Sequence, residues 1–348
     1  MFGFRKLCLI EAEPVMVRID PMQNVFVTGA TGFIGGNLVD ALLRKGCSVT
    51  CLVRNTSKKD ILQKRPVRLI IGDINDLAAI QKEMGAVDTV FHVAGAIKAS
   101  CRSQYFRINQ LGTRRLLEAL AEANPGLKRF VHISSLAAAG PSVNGRALTE
   151  KEKPNPVSWY GESKLESERE VLRHAKAFPV TILRPSAVYG PGDRETFLIF
   201  RMIKLGCLFT PGNVTRHFSL IHVNDLVAAI IAAGEKDTPT GEVFFLSRPE
   251  IYSYEDVGQA IAQALGKRFR QISVPKWIVV TAGSTGDLWA RVTGRPATIN
   301  SQKVRELLEP SWLCDTSKAR TDLGFCPAID LESGVWQTVR WYQTKGWL

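Results

Sequence analysis

A chain of 348 residues with 45% hydrophobic content can bury one large core or two interleaved ones, which excludes a disordered or fibrous protein. The formal charge of +12 is scattered, as in Lys58-Lys59 and Arg114-Arg115, without long runs or interleaved aromatics; this excludes nucleic acid as the expected partner and suits an anionic small molecule. Seven cysteines, odd in number and without Cys-x-x-Cys spacing, argue against a metal site and for a reduced, cytoplasmic compartment.

Residues 1–21 lack a continuous apolar core or a small-residue cleavage site, so they read as a weakly ordered extension, with Met22 as an alternative start. No apolar run reaches the roughly 18 residues that a spanning helix needs, and no integral membrane segment is expected. From residue 24 onward, short β-branched runs alternate with helical patterns. Strands are expected at 24–28, 48–53, 67–71, 89–92, 129–133 and 180–183, with helices near 34–45, 77–84, 106–123 and 159–177. The fold class that follows is α/β: a doubly wound parallel sheet with its crevice at the carboxyl ends of the strands. The alternation breaks down after Pro185. Residues 22–185 are therefore expected to form a nucleotide-binding domain and 186–348 a smaller substrate lobe, with elements at about 221–246 packing back on the sheet.

The first strand runs straight into Thr28-Gly29-Ala30-Thr31-Gly32-Phe33-Ile34-Gly35, with a helix opening at Phe33. Gly29 permits a tight turn, Gly32 lets backbone approach a pyrophosphate, and Gly35 lets the helix pack on the strand, with the anion on unpaired N–H groups at the helix start. The second strand ends without a carboxylate and is followed by Arg54, which can pair with a 2′-phosphate or stand as a surface cation; NADP(H) is preferred, with NAD(H) as the second option. Asp73 is placed to meet an adenine amino group or to cap a helix starting near Asp76.

Tyr160 and Lys164, at i and i+4, project from one helix face, where an ammonium is expected to draw the phenol down towards a pKa useful for acid–base work. Ser134 and Ser135 emerge at the carboxyl end of the 129–133 strand. Ser135 can hold a substrate oxygen against Tyr160, while Ser134 reads as a helix cap. His92 reads as a packed strand histidine, and the small residues after it admit a cofactor.

With Thr28 to Gly35, Asp73, His92 to Gly95, Asn109 with Gly112-Thr113, Ser134-Ser135, Tyr160 to Lys164, Arg184-Pro185 and Tyr189 to Gly192 in this order, the chain resembles an extended (Rossmann-type) short-chain dehydrogenase/reductase. The resemblance implies Ser135, Tyr160 and Lys164 as catalytic residues and Asn109 as a structural or proton-relay asparagine. It implies a cofactor set of Gly29, Thr31, Gly32, Phe33, Ile34, Gly35, Arg54, Asp73, Ile74, Ala94, Gly95, Ala96, Tyr160, Lys164 and Pro185. A homodimer through the helices at 106–123 and 159–177 is what it suggests.

Nucleotide-sugar members of that family carry Arg-Asp just before an Ile-His-Val-x-Asp segment. Here the segment is Ile221-His222-Val223-Asn224-Asp225 and the aligned pair is Phe218-Ser219, with Arg216 two positions earlier as a shifted clamp. Residues 274–280 either line an apolar pocket or form a core helix, and the core helix is the preferred reading. The pattern is nearest to dihydroflavonol reductase-like and 3β-hydroxysteroid dehydrogenase-like members, which implies redox chemistry at a ketone or secondary alcohol of a rather apolar small molecule. A nucleotide-sugar epimerase or dehydratase with tightly held NAD is the alternative, and a cofactor-sensing regulatory protein the second.

Overall fold

In the computed structural model, residues 22–57, 60–74, 81 and 83–348 are described. The expected extension over 1–21 and most of the expected helix over 77–84 lie outside them. The strands β1 (Asn24–Thr28), β2 (Ser48–Val53), β3 (Arg68–Ile71), β4 (Thr89–His92), β5 (Arg129–Ile133), β6 (Val180–Pro185) and, much later, β10 (Glu242–Leu246) form one seven-stranded parallel sheet in the order β10-β6-β5-β4-β1-β2-β3. The order reverses between β1 and β4. At that point the loops leaving the two strands diverge to opposite faces and leave a crevice at their carboxyl ends.

The side chains of β1 show why the sheet is covered twice. Val25 and Val27 join one apolar cluster with Leu38, Val39 and Leu42 of α1 (Phe33–Arg44), whereas Phe26 points into a second cluster. Continuous apolar runs of this kind are stable only when both faces are buried. The first cluster also holds α8 (Val223–Glu235) and α12 (Ser317–Leu323), so residues far along the chain return to the sheet. The second holds α4 (Gly112–Ala123) and α6 (Trp159–Arg173).

Two expected helices differ in extent. Residues 102–123 are not one α-helix: α3 (Arg102–Phe106) leads into a π-helical turn, Arg107–Leu111, before α4. Asn109 lies in that wide turn, with both ends of its amide committed to neighbouring segments, and such bulges mark sites where a side chain is re-aimed. Helix α6 stops at Arg173, where His174 leaves helical geometry and its Nδ1 donates to the Glu170 carbonyl at 2.9 Å. Between β2 and β3 lies the short α2 (Asp60–Gln63), and between β5 and α6 the short α5 (Leu136–Ala139).

Beyond β6 the chain builds β7 (Ala187–Tyr189), α7 (Phe197–Lys204), β8 (Cys207–Pro211), β9 (His217–His222), β11 (Ile251–Ser253), α9 (Tyr254–Leu265), β12 (Arg270–Val274), α10 (Lys276–Thr293), α11 (Ser301–Leu308), β13 (Ser311–Trp312) and, after α12, α13 (Leu331–Thr344). Strand β9 pairs with β7, β11 and β13, and β8 pairs with β12. The expected core helix around 274–280 is a correction. In α10 only Gly283 and Ala290 are buried, because the helix meets the protein through one narrow stripe of small residues.

An ion pair crosses the interior under the sheet's end. Arg184 of β6 donates from Nε at 2.9 Å and Nη2 at 2.6 Å to Glu168 of α6, which also accepts from Ser134 Oγ at 2.5 Å. Both charges are buried, so losing one strands the other. Glu168→Ala is expected to cost about 3–5 kcal/mol of unfolding free energy in urea titrations, and Glu168→Leu with Arg184→Met distinctly less. A double variant as unstable as the single one would show that the pair is net stabilising in its own right.

Candidate active site

The turn between β1 and α1 is shaped by what it cannot accommodate. Gly29 has φ +74°, and a Cβ there would sit 2.7 Å from the Ala94 nitrogen and 2.9 Å from the Val93 carbonyl carbon, so the β1 and β4 loops touch backbone to backbone. A Cβ at Gly35 would collide with the Gly29 carbonyl. Exposed Gly32 is the N-cap of α1. It has extended backbone and no side-chain cap, and the first turn carries no acidic residue. The leading N–H groups, among half-buried Thr31, Phe33 and Ile34, thus form a small positive cradle able to accept a pyrophosphate.

At the far side of the crevice β2 ends at Val53, and Arg54 follows it on the surface. The Gly72 N–H donates to the Val53 carbonyl at 3.0 Å, which places half-buried Asp73 in the segment beside Arg54. Ile74 packs over the start of α4, where a Cβ on Gly112 would approach it to 3.0 Å.

Three expected residues meet below the β4 loop. Buried Asn109 accepts from the Ala96 N–H at 2.7 Å and donates to the Ala96 carbonyl at 3.1 Å and to Ser163 Oγ at 2.8 Å. It therefore holds the 94–97 segment to α6. A Cβ on exposed Gly95 would lie 3.3 Å from Asn109 Oδ1 and 3.7 Å from Lys164 Nζ, so the space above the amine is kept free of side chain. Lys164 is buried and donates to the Ile133 carbonyl at 2.5 Å, at the end of β5. Pro185 closes the buried end of β6, paired with Leu246.

Tyr160 reaches Ser135 because α5 and α6 approach unusually closely: a Cβ on Gly161 would strike the Ala137 carbonyl. Ser135 is the N-cap of α5, its Oγ accepting from the Ala137 N–H at 3.1 Å, and it lies near enough to Tyr160 to favour its ionised phenol. Capping thus belongs to Ser135, whereas Ser134, expected as a cap, donates to Glu168 instead. His92 is a strand-core residue, its two ring nitrogens bonded to Thr28 and Thr113 at 2.7 and 2.9 Å.

The expected lowering of the phenol is not what the structure produces. Burial raises the Tyr160 pKa to about 12 against the opposing hydrogen bond from Ser135, and burial lowers that of Lys164 to about 8 despite the Glu168 carboxylate. Desolvation outweighs the ammonium because the Lys164 amine is turned to the Ile133 carbonyl. Burial likewise drops His92 to about 3, and the Lys164 charge adds to it.

Residues of α11 were not legible beforehand. Glu306 accepts from Ser158 Oγ at 2.6 Å and Gln302 Oε1 from the Trp159 N–H at 3.1 Å, fixing the first turn of α6. The charges of Glu306 and Lys303 act on Tyr160 in opposite directions. About 145 residues separate these partners, and no local pattern records such a contact.

Since Lys164 titrates at about 8 in the folded chain and near the ordinary 10.5 when unfolded, the unfolded chain holds more protons between those values. This group's contribution to stability therefore rises with pH across that window. Lys164→Met is expected to be most stable relative to wild type below pH 8, the difference closing by up to about 3 kcal/mol towards pH 10.5 in chemical denaturation. Parallel stability curves would contradict the shifted amine.

Residues 25–246 match the model of the NAD dependent epimerase/dehydratase family. The chain is 32% identical over 331 residues to a ceramide reductase of Caulobacter vibrioides, covering 94% of this chain and 97% of that one. It is 30% identical over 337 residues to a putative dihydroflavonol 4-reductase of Synechocystis sp., covering 93% and 95%. Among solved structures, MoeE5 in complex with UDP-glucose and NAD superposes with a TM-score of 0.75 at 27% identity, covering 92% of this chain and 99% of that one.

Proposed function

This chain belongs to the NAD dependent epimerase/dehydratase family, and from that premise we propose that it transfers hydride between a nicotinamide dinucleotide and a ketone or secondary alcohol of an apolar small molecule. The observation that carries the reading is the close approach of α5 and α6, which sets Ser135 beside Tyr160 at the crevice, next to an amine buried under a side-chain-free loop. The glycine cradle is the shape and charge that a dinucleotide pyrophosphate requires. When bound there, the dinucleotide supplies or accepts the hydride. Ser135 donates to the substrate oxygen and Tyr160 passes it the proton in reduction, or takes it back in oxidation. A phenol held neutral up to about 12 is in its acid form at neutral pH, ready to give its proton in the reductive direction. Asn109 fixes the loop, and Lys164 supplies a proton-exchanging amine below Gly95.

What turns the reading from a nucleotide sugar is Arg216. Its guanidinium is buried, and both Nη atoms donate to the carbonyls of Pro211, Val214 and Leu308, so the shifted diphosphate clamp is turned to backbone and only its buried Nε lacks a partner among the described residues. Phe218 stacks edge-on against Tyr254, with ring centroids 5.1 Å apart, where a sugar-nucleotide site wants charge. The reductase names of the two relatives agree. The UDP-glucose and NAD bound by MoeE5 favour the epimerase or dehydratase as the second reading.

Residues 22–185 would serve the cofactor and 186–348 the substrate, apart from the elements at 221–246 that join the sheet. Cytoplasmic residence fits the six free cysteines among the described residues, and a homodimer across α4 and α6 is testable by light scattering.

Tyr160→Phe is expected to lower kcat/KM for NADPH-dependent ketone reduction by about 10²–10⁴-fold while leaving NADPH affinity unchanged. Tightly retained NAD with no turnover of external NADPH would replace this reading by the epimerase. NADPH is the preferred donor in this proposal, through Arg54. Arg54→Ala should weaken NADPH at least about tenfold more than NADH, and equal weakening would leave Arg54 a surface cation.

A further inference from the structure

Helix α10 presents an apolar face to solvent. At 100° per residue, Trp277, Ile278, Leu288, Trp289 and Val292 fall within about 120° of one another, opposite the buried Gly283 and Ala290. The five are between 40% and 78% exposed. The hydroxyls within the helix do not interrupt this face. Thr281, Ser284, Thr285 and Thr293 each donate to a helix carbonyl, at 2.8, 3.2, 2.9 and 2.8 Å, which leaves no dangling donor for water to satisfy. Exposed Lys267, Arg268, Arg270, Arg291 and Arg295 lie in or near the ends of the helix along the chain, and among the described residues none of them is in an ion pair. The single acidic residue of the 266–299 stretch is Asp287.

We propose that α10 seats this face in the headgroup boundary of an anionic lipid bilayer, with the flanking cations on the lipid phosphates. No helix among the described residues is long and apolar enough to cross a membrane, so the mode is interfacial. Charge selects the bilayer over a second copy of the chain. A two-fold contact through the same patch would bring its unpaired cations against their own equivalents, whereas an anionic surface neutralises them. The helix is also tied to the active site. Ser100 Oγ, in the loop after β4, donates to the Gly294 carbonyl at 2.8 Å. Glycines of α10 pack its inner side against 299–304, and α11 holds the start of α6, so the docked helix is linked through α11 to the segment that carries Tyr160 while its apolar face points away from it. The docking itself does not depend on the redox reading.

The test is flotation of the full-length protein with phosphatidylcholine vesicles, with and without phosphatidylglycerol, at low and high salt. Binding is expected with phosphatidylglycerol, falling as salt rises. Trp277→Glu with Trp289→Glu should weaken it at least about tenfold. Arg291→Gln with Arg295→Gln, both on the exposed surface and harmless to folding, should weaken it about fivefold per residue. Wild-type protein that fails to float with phosphatidylglycerol overturns the proposal. So does a fall in molar mass by light scattering in the tryptophan variant, which would assign the face to a second copy.

Discussion

Two loops meet backbone to backbone at the reversal of strand order, and the rest of the site is built outward from that contact. Gly29 lies against Val93 and Ala94 at a distance that no side chain could share, so the start of α1 and the β4 loop face one crevice. Asn109 then pins the β4 loop through both the N–H and the carbonyl of Ala96, and its third bond, to Ser163, ties that loop to α6. Lys164 is anchored to β5 through Ile133, and Gly161 draws α6 onto α5, where Ser135 waits for Tyr160. The links are short and buried or half-buried, which suits the rigidity that positioning a reacting atom demands.

Burial, more than any charge pair, sets the proton affinities here. Tyr160 is pushed up, Lys164 and His92 down, and in each the cost of removing a charge from water is the largest cause. Among the described residues the one ion pair with both charges buried, Glu168 with Arg184, is held by several hydrogen bonds and stands beneath the site. It orients Ser134 and joins α6 to β6, so the strand carrying Pro185 and the helix carrying Tyr160 keep a common frame.

Where the sheet is twice covered, the later segments leave more of their apolar side chains in solvent. Phe218 and Tyr254 stack near buried Arg216, whose guanidinium is turned inward to carbonyls. Farther out, α10 buries only Gly283 and Ala290 and leaves its tryptophans in solvent, so this part of the surface is not uniformly polar.

Periodicity, glycine spacing and strand-end serines are local properties, so the sequence by itself determined six of the seven strands of the parallel sheet nearly to the residue, the tight turn at Gly29, Gly32 and Gly35, and the placing of Ser135 at the end of β5. The π-turn at Asn109 was not legible, because a helix with one extra residue has almost the same pattern as one without it. Nor were Gln302 and Glu306, which reach Trp159 and Ser158 across about 145 residues of chain. Apolar composition could not distinguish the core helix expected near 274–280 from the exposed α10, since the two differ only in what packs against them. The direction of the Tyr160 shift had the same origin. An i, i+4 spacing names a neighbour, but only the tertiary structure decides how much water is left around the pair and which way the amine turns.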